Sequence, residues 1–286
     1  MSRAQPLLDR ARAAKAKLRL WNAELDRLRY PAYYRGRLTP EEANLLLYNR
    51  LRHGQPVMAG KLGSVESRLL GEHRYGAFSR RTRLQAHQNA GIFPCDNDSL
   101  AAAAAEIWKA LHSLELLGCW PTAYQARLLM DVPQLPFRCE MPDLEPFSYR
   151  LPWSHALQGQ RVLVLHPFVD SFRHQWGRRE ALFPGRPVLP NFEPTFVATP
   201  MTIQGAEHSF RSWSEALESI WHRVQSMTFD TAIIGGGAYS LPLASRIRST
   251  GRSAIHLGGS LQLFFGVFGK RWERFASQRA LVNEAW

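Results

Sequence analysis

The chain is poor in cysteine, with three in 286 residues (Cys95, Cys119 and Cys139) and no paired spacing among them. That excludes a disulfide framework and a cysteine-built zinc site, and it leads us to expect a reducing, cytoplasmic home. Long apolar runs are missing as well. The longest, Leu261 to Phe268, falls far short of the ~20 residues that cross a bilayer. The opening MSRAQPLLDRARAAKAKLRLW carries charge throughout and lacks the apolar centre of a secretory signal. Acidic residues are scarce: 24 against 36 Lys and Arg, a net charge of +12. Such a surplus favours anionic partners, whether nucleic acid, an acidic membrane face or a phosphate-bearing substrate. No helix-turn-helix, zinc or RNA-binding signature accompanies it, so no specific nucleic acid is expected.

What is present is ordinary globular material, 45% hydrophobic and 21% charged, with no internal repeat. Residues 1 to about 30 read as a basic amphipathic helix, with Leu7, Leu8, Ala11, Ala14, Leu18, Trp21, Leu25 and Leu28 at three- and four-residue steps. It either packs on the body or meets a membrane surface or partner. Thr39-Pro40-Glu41-Glu42 opens a second helix running to about His53. Val57 to Ala59 reads as a short buried strand. Asp98 or Ser99 caps a helix to about Leu117, and a Pro- and aromatic-rich stretch follows to Trp153. Beyond it the rhythm is regular: strand Gln160–His166, helix Ser171–Leu182, strand Phe192–Ala198, a helix opened by Ser212-Trp213-Ser214-Glu215, strand Phe229–Ile234, helix Tyr239–Thr250 and strand Ser253–Leu257. Alternating strands and helices predict an α/β fold with a doubly wound, mostly parallel sheet. Residues 1–55 are expected as a helical extension and 56–286 as the α/β domain.

Chemistry-bearing residues gather at predicted strand ends. Gly235-Gly236-Gly237 followed by Tyr239 joins a strand to a helix, a turn that suits phosphate at a helix N-terminus. It matches neither the dinucleotide fingerprint nor the P-loop, since no third spaced glycine and no Lys-Ser/Thr pair follows. A plain tight turn is the alternative. The next strand ends in His256, Gly258 and Gly259, with Gln262 beyond, and then come Lys270 and Arg271, cations suited to a diphosphate. Gly63, Ser64 and Glu66 follow the first strand. There Glu66 could hold a divalent metal, contact a donor sugar, act as base, or simply favour the helix dipole. His166, Asp170 and Gln175 follow another strand and are candidates for the acceptor or for completing the site. A serine-hydrolase reading is disfavoured, because no G-x-S-x-G elbow occurs.

The strings Ile234 to Ala244, Ile255 to Gly266 and Gly269 to Trp272, with His166-Pro167-Phe168 and the Gly63-to-Glu66 turn, resemble bacterial GT-D-fold-like proteins of polysaccharide biosynthesis. The resemblance spans roughly residues 56 to 275. It implies a Rossmann-like glycosyltransferase that moves a sugar from a nucleotide-sugar donor to a glycan or lipid-linked acceptor. It also implies a divalent metal (Mn or Mg) and work in the cytoplasm or against the acidic inner membrane face. The family's Asp-x-Glu motif falls on Ser64, Val65 and Glu66, so Glu66 carries over and the aspartate does not. His256 stands where the family has an aspartate. The other readings are a nucleotide-binding regulatory or scaffold module that has lost its chemistry, and a basic nucleic-acid-binding protein.

Overall fold

A computed structural model describes residues 25–205 and 209–286. Most of the amphipathic segment read at the N-terminus lies outside the described residues; within them, 25–29 are helical and Leu28 is exposed.

Seven short strands build one sheet: β1 (Met58–Lys61), β2 (Leu116–Cys119), β3 (Phe137–Glu140), β4 (Arg161–Leu165), β5 (Glu193–Val197), β6 (Thr231–Ile234) and β7 (Ser253–His256). They lie in the order β3-β2-β1-β7-β6-β4-β5, and every pairing is parallel. The main helices are α1 (Pro40–Arg52), α2 (Ser64–Tyr75), α3 (Asn97–Leu111), α4 (Val169–Trp176), α5 (Trp213–Val224), α6 (Ser240–Ser249) and α7 (Ser260–Phe264). This is a Rossmann-like α/β architecture. Its inner strands β1, β2, β6 and β7 are buried along their length because both faces of the sheet are covered.

Alternation along the strands splits the core in two. Met58, Leu163, Leu165, Ala232, Ile234 and Ala254 face α2, α3, α5 and α6. Ala59, Val162, Val164, Ile233 and Ile255 face α1, α4 and α7. Helix α1 enters that second core through Ala43, Leu47 and Leu51.

Local chemistry explains the helix starts. Thr39 and Glu42 form a reciprocal capping box with Pro40 in the first turn. Ser212 accepts from the Glu215 amide at the start of α5. The expected cap of α3 shifts: Asp96, not Asp98 or Ser99, accepts from the Ser99 amide. That helix stops at Leu111, and the residues expected to finish it form β2 instead. A four-residue run such as LLGC has no period of its own, so continuation of a helix and a buried strand look alike. The predicted helix Ser171–Leu182 is two pieces, α4 and Arg179–Leu182, parted at Gly177.

The sheet's outer strands are blunted. On β5 the residues turned away from β4 include Pro194, which has no amide to offer, and Phe196, whose carbonyl accepts from Arg173 Nη2 at 3.0 Å. Beside β3, the Leu38 amide donates to the Arg138 carbonyl at 2.7 Å.

Candidate active site at the carboxyl edge of the sheet

In open parallel sheets a crevice forms where neighbouring strands send their chains to opposite faces. Strands β1 and β7 are such neighbours, since β1 leads into α2 on one face and β7 into α7 on the other. Strands β6 and β4 repeat the divergence, through α6 and α4. Four turns therefore meet at one edge, and each carries residues singled out in the sequence.

The β1 turn holds Gly63, Ser64 and Glu66. Gly63 caps α2, and a β-carbon placed on it would lie 2.1 Å from Glu66 Oε2, so the carboxyl folds back over the glycine. Ser64 is exposed and Glu66 half-buried. Burial raises the Glu66 pKa above the usual carboxylate value.

The β7 turn is the more open of the two glycine turns. Gly258 has φ +59°, a left-handed conformation that suits glycine, and Gly258 and Gly259 are half-exposed. Among the described residues the Gly259 and Ser260 amides find no acceptor. The Arg271 guanidinium rests against Gly259, with Nη1 2.5 Å from where a β-carbon would stand. The His256 ring nitrogen Nδ1 lies 3.2 Å from the Gly258 amide and 3.3 Å from the Ile234 carbonyl. Burial above all, then Lys61, pushes the His256 pKa down to about 4.

The β6 turn behaves differently. A β-carbon on Gly235 would meet the Gly258 carbonyl and His166 Cδ2, each at 2.7 Å, and one on Gly236 would meet Thr199 at 3.3 Å. These two glycines make room for protein, not for ligand. Gly237 alone is exposed, at φ +59°, and the Gly237 and Ala238 amides find no acceptor among the described residues. From β4, His166 is buried, accepts the Phe168 amide at Nδ1 at 2.9 Å, and packs on Phe172 at 4.7 Å. Burial, then the Arg271 charge, lowers its pKa to about 3.

Several expected ligand residues stand elsewhere. Tyr239 is a core side chain, stacked on Trp213 at 5.3 Å with its hydroxyl 3.0 Å from Thr202 Oγ1. Gln175 ties the Gly266 carbonyl at 2.8 Å and accepts from Arg178. Gln262 accepts the Trp272 indole N–H at 3.1 Å. Asp170 is exposed and ion-paired with Arg173 at 2.6 Å, and Lys270 is exposed.

Two features escaped the sequence reading. Beneath the β7 turn, Lys61 Nζ donates to Glu145 Oε1 at 2.9 Å and to Ser260 Oγ at 3.1 Å, while Ser260 Oγ donates to the same carboxylate oxygen. All three side chains are buried. Their sequence separations of 84 and 199 residues leave no local signal. The second is Thr199, whose buried hydroxyl has no partner among the described residues and lies against Gly236.

Among the described residues no three His, Cys, Asp or Glu gather as metal ligands. Glu66 is the carboxylate the β1 turn offers, so the residues present do not build a metal centre. No helix among the described residues is long and apolar enough to cross a membrane. A cleft of about 620 Å³ opens at the opposite, amino edge of the sheet. Two of its polar walls are already engaged: Glu115 with Arg248 and the Met58 amide, and Arg138 with the carbonyls of Ala32, Tyr33, Arg35 and Pro136. At the carboxyl edge, by contrast, amides at two turns find no acceptor among the described residues, and the Arg271 guanidinium rests against one of them.

No family model and no curated protein matches the chain. It is similar to a solved structure described as a selenomethionine-substituted domain of unknown function 1792. Identity is 13%, 77% of each chain is covered, and the TM-score is 0.43. The fold assignment rests on the strand order itself.

Proposed function

We propose that this chain is a glycosyltransferase that holds a nucleotide-sugar by its diphosphate at the carboxyl edge of the sheet. One observation carries the reading: two neighbouring turns, at Gly237-Ala238 and Gly259-Ser260, present amides with no acceptor among the described residues, and the Arg271 guanidinium rests against the second. Backbone amides at helix starts and a guanidinium are the groups that recognise phosphate oxygens. In the transfer, the acceptor oxygen bonds to the sugar's anomeric carbon as the bond between that carbon and the diphosphate breaks, and negative charge grows on the departing nucleoside diphosphate. Arg271 and the amides stabilise that charge more strongly than they stabilise the bound donor. Glu66, its pKa raised by burial, receives the proton of the acceptor hydroxyl. No step needs a metal held by the protein. The motif resemblance at Gly63–Glu66, Ile255–Gly266 and Gly269–Trp272 supports the same reading.

Calorimetry with UDP, GDP and CDP, followed by turnover of the matching sugar donors, tests it. Arg271→Ala should weaken nucleoside diphosphate binding about tenfold or more. Glu66→Gln should keep binding and lose transfer. Absence of binding by all three nucleotides rejects the proposal. A second reading, a nucleotide-binding module without chemistry, draws on Ser64 standing where the resembling family has its aspartate. It predicts binding with no donor turnover and an inert Glu66→Gln.

A further inference from the structure

The β2 turn lies next to the β1 turn, and the described function uses nothing from it. Strand register pairs Lys61 with Gly118, and just past the two strand ends Gln125 bridges the Trp120 amide and the Leu62 carbonyl. Trp120 is 45% exposed, large for an indole in a folded protein. Its loop is nonetheless held firmly. Buried Gln125 accepts the Trp120 amide at 3.0 Å and the Tyr33 hydroxyl at 2.7 Å, and donates to the Leu62 carbonyl at 3.2 Å. Ser67, in α2, donates to the Ala123 carbonyl at 2.6 Å. The loop is thus tied to both flanks of the turn that carries Glu66.

The same loop contains two features with an energetic cost. Tyr124 sits at φ +69°, a left-handed conformation that is uncommon for a tyrosine. It is kept there by its ring, which fills the notch at Gly71, where a β-carbon would lie 2.1 Å from Tyr124 Cγ. Thr122 buries a hydroxyl oxygen with no partner among the described residues. A strained residue, an orphan hydroxyl and an exposed indole, all anchored to the Glu66 turn, mark a loop shaped for something beyond packing.

We infer that the loop from Trp120 to Gln125 is a ring-binding wall of the crevice, in which the Trp120 indole stacks on a ring of the molecule whose phosphates sit at the glycine turns. This rests on the phosphate reading above. The shared chemistry is a ring face on an indole, and the ring comes either from the nucleobase or from a sugar.

The experiment compares pyrophosphate, the tightest binder among UDP, GDP, CDP and ADP, and that nucleotide's glucose conjugate, on the wild type, Trp120→Ala and Trp120→Phe. Pyrophosphate should bind all three proteins alike. If the base stacks, Trp120→Ala loses about tenfold or more in affinity for the nucleoside diphosphate, and Trp120→Phe recovers most of it. If a sugar stacks, the free nucleotide is unaffected, and the loss shows in binding or turnover of the sugar conjugate. Unchanged affinity for every probe, or an equal loss that includes pyrophosphate, overturns the inference and leaves the phosphate site standing. A wild type that binds no pyrophosphate and no nucleotide removes both.

Discussion

The two glycine turns of the carboxyl edge look alike in sequence and differ in use. At β6, Gly235 and Gly236 are buried, and the space a side chain would need is taken by His166, the Gly258 carbonyl and Thr199. At β7, Gly258 and Gly259 are half-exposed, and the group nearest Gly259 is the far end of a flexible arginine. In the first turn glycine serves close packing of three strand ends. In the second it leaves amides accessible. A run of glycines shows that something approaches the backbone, and only the neighbours decide whether that is protein or ligand.

The β7 turn stands on the Lys61–Glu145–Ser260 network, so removing its cation tests the comparison most severely. Lys61→Met strands a buried carboxylate and should cost about 3–5 kcal/mol in urea unfolding. Lys61→Met with Glu145→Leu should recover much of that stability. A single variant as stable as the wild type would mean that the turn needs no such floor.

The two turns should also part under the same substitution. Gly235→Ala pushes a methyl into backbone and a packed ring, and we expect a loss of roughly 1–3 kcal/mol. Gly259→Ala displaces only the Arg271 guanidinium, so stability should fall by less than about 1 kcal/mol while pyrophosphate affinity falls severalfold. Thermal unfolding and calorimetry on the pair read both quantities. Equal effects on stability would erase the distinction.

Acid sharpens the comparison least. His166 and His256 brace the two turns in neutral form, with pKa values about 3 and about 4 against an ordinary value of 6.5. The unfolded chain therefore takes up protons that the folded one refuses. Stability should be complete above pH 6.5 and decline as pH falls toward 4, by at most about 1.4 kcal/mol per pH unit for each histidine. His256→Gln should flatten that limb in urea titrations repeated across the range. An unchanged slope would mean that burial does not hold this ring neutral.

Much of the architecture could be read from the chain. The later strands announce themselves as apolar runs between turn residues, and the caps at Thr39 and Ser212 lie where local hydrogen bonding demands them. β2 stayed hidden because its short apolar run reads as a continuation of α3, and β3 because it lies in a stretch of prolines and aromatics with no period. Glu66 and Gly259 could be proposed because each follows a strand within a few residues, and Arg271 because it is a cation beside glycines just beyond such a turn. Glu145, Thr199 and Trp120 could not, because their meaning comes from partners brought near only by the sheet. Tyr239 and Gln175 misled for the opposite reason: polar residues beside a promising turn also serve the core.

The outermost strand has a consequence for how this protein behaves in company. Pro194 withholds the donor that an approaching strand would seek, and Arg173 already occupies the Phe196 acceptor. On the far side, the segment at Leu38 has claimed the ladder position beside Arg138. A flat parallel sheet is otherwise a template for its own copies. With both borders blunted, neighbouring molecules crowded together find fewer rungs on which to begin a fibre.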